Sequence, residues 1–261
     1  GVPVMMSRRI FLAATVAACA TEPPMPTHAV YEFRNYTMQP GQRDVLIELF
    51  EREFIEPMQV LGARVVATFR NLDDPDRFVW IRSFETMATR AAALDGFYTG
   101  ATWQAHRSTA NATIIDSDDV LQLRPVSGDA TNGSAVRPSI GATAISDGLI
   151  VATTYFLADH QDEAFSDVYA REVLPILREV DAAPFATLAT EHAPNSYPRL
   201  PVRDAETVFL TLTRFESAPA YESYATATRA AHRDIDGAVR RLTIAPSQTL
   251  RLQPTARSLL R

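Results

Sequence analysis

Apolar and polar residues alternate through residues 29–38, where YEFRNY sets Tyr31 and Phe33 on one face and Glu32, Arg34 and Tyr36 on the other. A period of two predicts a β-strand. Pro40-Gly41 breaks it, and over 42–61 the period changes: Val45, Leu46, Leu49, Phe50 and Ile55 fall at helical spacing. Two strand-like runs follow, Arg64 to Asn71 and Arg77 to Phe84, joined by Asp73-Asp74-Pro75-Asp76, a turn by composition. Residues 86–112 are Ala-rich and helical, with interruptions expected near Gly96 and Gly100. Asp118 to Pro125 returns to a strand. The order is strand, helix, strand, strand, helix, strand.

Residues 126–148 are rich in Gly, Ser, Ala and Thr, lack apolar periodicity and read as a linker. The order then runs again over 149–254. Val66-Ala67-Thr68-Phe69 corresponds to Phe185-Ala186-Thr187-Leu188, Ser83-Phe84-Glu85 to Arg214-Phe215-Glu216, His106-Arg107 to His232-Arg233, and LQLRP (121–125) to LRLQP (250–254). Near-constant offsets between these matches point to an internal repeat. The expected fold class is α+β: two tandem ferredoxin-like βαββαβ units that pair sheet to sheet within one chain. The domains expected are an export signal and tether (1–27), a first unit (28–126), a linker (127–148) and a second, diverged unit (149–256).

The N-terminus changes the picture of where such a chain works. Ser7-Arg8-Arg9-Ile10-Phe11-Leu12 is similar to the twin-arginine export motif, and an apolar stretch, Ala13 to Ala20, and a proline-rich stretch, Thr21 to Pro26, follow. The single cysteine, Cys19, sits in Val16-Ala17-Ala18-Cys19, which resembles a lipoprotein processing box. Two readings stand: Cys19 is acylated and tethers the protein to a membrane, or cleavage after Ala20 removes it. Either way the expected location is the periplasm or cell envelope. No cysteine follows, so the mature chain has no thiol nucleophile or cysteine-bound metal. The net charge of −6 argues against a nucleic-acid partner, which would need a basic face.

The first unit resembles a NIPSNAP domain of the dimeric α/β-barrel superfamily. The residues that carry the resemblance are Tyr31 to Tyr36, Pro40-Gly41, Phe78 to Phe84, Phe97-Tyr98, Trp103, His106-Arg107 and Asp116 to Leu121. The resemblance implies the barrel and the pairing of domains. Superfamily relatives include cofactor-free monooxygenases and haem-degrading enzymes, so it names no single reaction.

Alternation then nominates a site. With Tyr31 and Phe33 taken to lie under the helices, Glu32, Arg34 and Tyr36 point between the two sheets, joined by Thr68, Arg70, Trp80 and Arg82. The second unit carries Ala189 and Thr213 where the first has Arg70 and Arg82, and Leu149 to Ala158 is uncharged. A site kept in one half predicts that asymmetry. The expectation is a small organic ligand, anionic or aromatic, between the sheets. Arg34, Thr68, Arg70, Trp80 and Arg82 would bind it, and Glu32, Tyr36 and His106 are the candidates for proton transfer. The recurrence of His106 as His232 favours a structural role for that histidine, and Phe97-Tyr98 and Trp103 are expected to pack the helix pair. No cofactor and no metal site are expected, because the five histidines are scattered. A non-catalytic assembly protein, a haem-binding barrel using a histidine such as His106, and a homo-oligomer remain as alternatives. The sequence leaves open whether the protein is an enzyme.

Overall fold

The computed structural model describes residues 29–131 and 135–261. The twin-arginine motif and Cys19 lie outside them. The first half runs β1 (Val30–Met38), α1 (Arg43–Leu49), a π-helical turn (Phe50–Phe54), α2 (Ile55–Val60), β2 (Arg64–Asn71), β3 (Arg77–Phe84), α3 (Met87–Thr99), α4 (Ala101–Thr113), β4 (Ile114–Asp116) and β5 (Val120–Gly128). The second half runs β6 (Leu149–Leu157), α5 (Asp162–Val168), a π-helical turn (Tyr169–Val173), α6 (Leu174–Glu179), β7 (Ala186–Thr190), β8 (Thr207–Phe215), α7 (Ala218–Ala227), α8 (Arg229–Val239) and β9 (Gln248–Pro254). Both halves place the π-turn at the same point of the first helix. Gly100 separates α3 from α4 as expected, but Gly96 stays inside α3, where a Cβ would come within 3.1 Å of Leu61.

Among the described residues every strand pairing is antiparallel, and the pairings close on themselves. The circuit runs β1, β3, β2, β9, β6, β8, β7, β5 and back to β1, with β4 attached to the end of β1. The two halves therefore meet edge to edge, at seams joining β2 to β9 and β5 to β7. Closure removes the exposed sheet edges that each half alone would carry. At the second seam Gly128 adopts φ +73°, and a Cβ there would strike the Phe185 carbonyl, so only glycine fits.

Closure also decides what faces inward. The barrel interior is filled by Tyr31 and Phe33 from β1, Ala67 and Phe69 from β2, Val79 and Ile81 from β3, Leu121 and Leu123 from β5, and their counterparts Ile150, Leu188, Leu210 and Leu252. A bulge at Val66 turns both Val66 and Ala67 inward and leaves Val65 under the helices. The expected facing is thus inverted. Tyr31 and Phe33 line the interior, whereas Glu32, Arg34 and Tyr36 lie beneath the helices of the first half.

Segments without regular structure are also fixed. Arg137, in the stretch expected to be a linker, hydrogen-bonds the Val65 and Arg257 carbonyls and the Gln59 side chain. Residues 255–261 run back along β2, with Thr255 N–H donating to the Thr68 carbonyl and Leu259 N–H to that of Val66. Leu260 enters the interior and is fully buried. Leu260→Ala is expected to lower stability by about 3 kcal/mol, the range for a large-to-small change in a packed core. Urea denaturation measures it, and an unchanged midpoint would show that this segment is not part of the core.

Candidate functional site

Between the sheet of the first half and its helices lies a cavity of about 290 Å³. Its walls are aromatic. Phe50 of the π-turn meets Trp80 of β3 at 4.7 Å between ring centroids, Tyr36 of β1 meets Trp80 edge-on at 5.9 Å, and Tyr98 meets Trp103 at 5.0 Å. The polar lining comprises Gln104, Arg107 and Asn111 on α4, Ser117, and Arg199.

Part of this lining belongs to the second half. The loop 191–206 crosses from between β7 and β8 to cover the first half's helix face. It is held there by Gln122 Nε2 donating to the Ala193 carbonyl (2.9 Å), by Arg203 Nη1 on Asp119 (2.8 Å), and by Arg203 N–H on the Val120 carbonyl (2.8 Å). Tyr197 stacks on Tyr98 at 6.4 Å and lines the cavity with Leu200. The matching loop of the first half, residues 72–76, is far shorter, and a long ordered loop of this kind commonly serves a site.

Behind the Tyr36–Trp80 wall lies a buried ionic hub. Glu32 Oε2 accepts from Arg34 Nη1 (2.5 Å) and Arg82 Nε (2.6 Å), while Oε1 accepts from Arg90 Nε (2.7 Å). All four side chains are essentially inaccessible to solvent. Arg90 Nη1 also donates to Asn195 Oδ1 (2.9 Å) and Ser196 Oγ (3.1 Å), which ties the covering loop to the hub. Burial alone would raise the Glu32 pKa, but Arg82, Arg34 and Arg90 override it and hold the carboxyl far below the usual carboxylate range. Glu32 is therefore a fixed anion with both oxygens engaged. Arg90 is pushed the other way, its pKa lowered by burial and by repulsion from Arg82 and Arg34 despite Glu32.

The hub reaches the cavity through rings. The Arg34 guanidinium lies 5.4 Å from the centroids of both Tyr36 and Trp80, and that of Arg82 lies 5.0 Å from Trp80. Arg34 Nε donates to Tyr36 Oη (3.0 Å), so the tyrosine's own O–H remains free to donate elsewhere. Burial, opposed by Arg34, raises the Tyr36 pKa and keeps it a neutral phenol. Trp80 Nε1 and Tyr197 Oη are buried and have no hydrogen-bond partner among the described residues.

Residues 31–128 match the NIPSNAP family model. The first half carries a NIPSNAP domain. The whole barrel is similar to three solved structures at the level of fold. A provisionally named monooxygenase from Lactobacillus acidophilus is 11% identical, with 89% of this chain and 97% of that chain covered at a TM-score of 0.54. One from Fusobacterium nucleatum is 8% identical, with 90% and 96% covered at 0.57. An anthrone oxidase-like protein is 12% identical, with 88% and 92% covered at 0.54. No curated protein matches the sequence.

Within the NIPSNAP domain, five of the residues nominated from sequence come together: Glu32, Arg34, Tyr36, Trp80 and Arg82. They do so on the helix side of the sheet, not between the sheets, because the closed interior admits only apolar side chains. Glu32, a candidate for proton transfer, is locked by three guanidiniums that hold it ionised, fully buried and outside the cavity lining. Thr68 lies elsewhere, buried against Thr255, which in turn donates to Glu51. Arg70 pairs with Asp44 of α1 (2.9 Å) near the end of β2, not with the neighbouring Asp73 or Asp74. His106 faces Glu53 at 3.6 Å and is not among the cavity-lining residues. Phe97, Tyr98 and Trp103 line the cavity as well as packing the helix pair.

Arg90 and the loop residues Asn195 to Tyr197 escaped the sequence reading. A signal for Arg90 existed: with Ala93, Leu94 and Phe97 it falls at i, i+3, i+4 and i+7, the buried stripe of α3. An arginine on that stripe must have a buried partner. In the second half the cavity between sheet and helices measures about 140 Å³, and its strands contribute Thr153, Tyr155, Thr211 and Thr213 without a charge.

Removing the hub's only carboxylate leaves three buried cations facing one another. Glu32→Gln is expected to cost about 3–5 kcal/mol. Because the folded-state pKa of Glu32 is depressed, its contribution is fully present above the unfolded carboxyl value and is lost as pH falls toward the folded one. Urea melts from pH 7 down to about 3 should therefore show falling stability from about pH 5 in the wild type. The variant should start lower and lack that component; parallel profiles would remove Glu32 from the hub.

Proposed function

We propose that the cavity of the NIPSNAP domain binds a planar aromatic molecule bearing a hydrogen-bond-accepting oxygen. The observation that carries this reading is the pair of buried, unpartnered donors, Trp80 Nε1 and Tyr197 Oη, on residues that line a cavity with aromatic walls. An unpaired buried donor costs about 1–3 kcal/mol, so two of them in one cavity favour an acceptor that arrives with the ligand. Tyr36 supplies a third donor, its oxygen already engaged by Arg34. The aromatic walls suit a flat ring system, and the volume suits a small one.

The proposal extends to metal-free oxidation of that ligand with dioxygen as the co-substrate, a ring CH2 becoming C=O and the second oxygen atom leaving as water. Its basis is analogy of fold, since the neighbours are named as monooxygenases or as anthrone oxidase-like. By the Ser7 to Leu12 motif, such a reaction would take place outside the cytoplasm, with Cys19 as tether in one of its two readings. The alternative of a non-catalytic assembly protein accounts for the apolar interior but leaves the cavity and its idle donors unexplained. Nothing in the position of His106 favours haem.

Tyrosine-197 offers a clean test. Tyr197→Phe deletes an unpaired hydroxyl, so the apo protein is expected to melt at the same temperature or slightly higher. Binding of 1-naphthol or anthrone, followed by tryptophan fluorescence, should weaken by roughly 3- to 10-fold. Naphthalene, which lacks an oxygen, should bind poorly to both proteins. Equal binding of naphthalene and 1-naphthol by the wild type would overturn the reading.

A further inference from the structure

We propose that this cavity takes its ligand as an oxyanion, selecting the ionised form of a hydroxyaromatic over the neutral one. The inference rests on the aromatic-cavity reading and adds the charge state of what binds.

The argument is the distribution of fixed charge. The hub behind the Tyr36–Trp80 wall holds three guanidiniums against one carboxylate, an excess of two positive charges in a region closed to water. Arg82 Nη1 and Nη2 and Arg90 Nη2 have no acceptor among the described residues, so the excess is not quenched locally. Two more cations, Arg107 from α4 and Arg199 from the covering loop, line the cavity and form no ion pair among the described residues. Among the described residues no carboxylate lines it. Those on the surrounding elements are engaged or point to water: Glu51 accepts from Thr255 and the Arg257 backbone, Glu53 from Arg52, Asp119 and Glu206 from Arg203, and Glu191 from the Ala193 N–H. Asp95 and Asp116 are exposed.

Two effects compete over a hydroxyl bound there. Desolvation favours the neutral form, and nearby cations and donors favour the anion. Glu32 shows which prevails behind the Tyr36–Trp80 wall, where burial is complete and the guanidiniums still keep the carboxyl ionised. The lining donors act in the same direction. Tyr36, polarised by the Arg34 N–H on its oxygen, offers a strengthened O–H, and Trp80 N–H and Tyr197 O–H, on residues of the same lining, are without partners among the described residues. With no carboxylate lining the cavity, the ligand's proton is expected to leave to solvent at the mouth, and ionisation is then driven by binding energy rather than by a protein base.

Hydroxyaromatic probes whose two forms absorb differently make the test direct. The absorbance of 7-hydroxycoumarin and 4-nitrophenol would be followed against pH, free and with the protein in excess. Each bound probe is expected to ionise at least one pH unit lower than free, a preference of about tenfold or more for the anion. The preference should shrink by several-fold in the Arg107→Ala/Arg199→Ala double variant and in high salt, since those two arginines are exposed. Retention of the whole preference in that variant would overturn the part assigned to the pair. Binding with ionisation at or above the free value would overturn the inference and leave the aromatic cavity standing. No binding of either probe, nor of 7-methoxycoumarin, would remove the cavity reading and this inference with it.

Discussion

Closure of the strand circuit is the constraint on which the rest of this molecule depends. Once β2 joins β9 and β5 joins β7, no sheet edge on the circuit remains to be wetted, and every inward side chain must be content among hydrocarbons. The row of Tyr31, Phe33, Val79, Ile81, Leu121 and Leu123 satisfies that demand. Polar chemistry is thereby displaced to the other face, where helices and a loop can be shaped around it. The site lies outside the barrel wall for the same reason that the barrel is stable.

On that outer face the ionic hub and the aromatic cavity act as one unit. Glu32 draws together side chains from β1, β3 and α3, and Arg90 carries the network into the loop 191–206. The covering loop belongs to the second half, so the first half's site is complete only when both halves are present. The second half keeps a smaller cavity, to which its strands contribute no charge. Its clearest contributions to the charged site are the loop and the strands that close the barrel, a division of labour between two runs of the same element order.

Much of this was legible from sequence. The switch from period two to helical spacing marked every main element of the first half to within a few residues, and the Pro40-Gly41 and Gly100 breaks fell where the structure has them. Alternation grouped Glu32, Arg34, Tyr36, Trp80 and Arg82 correctly as one face. What it could not supply was the direction of that face, since a period of two is unchanged when the whole strand is turned over. Arg90 was within reach, for it breaks an otherwise apolar helical stripe. The contact of Asn195 and Ser196 with Arg90 was not, because it joins residues more than a hundred positions apart. Nothing in residues 126–148 announced that Arg137 would bind the Val65 and Arg257 carbonyls.

Local periodicity determined the elements, their order and the set of side chains that travel together, because each of those depends on neighbours a few residues away. Tertiary structure alone decided which side of the sheet is sealed, which arginines share one carboxylate, and that a loop from the far half covers the cavity. Those outcomes depend on ring closure and on desolvation. Both are properties of residues brought together from distant parts of the chain, and no short window of sequence contains them.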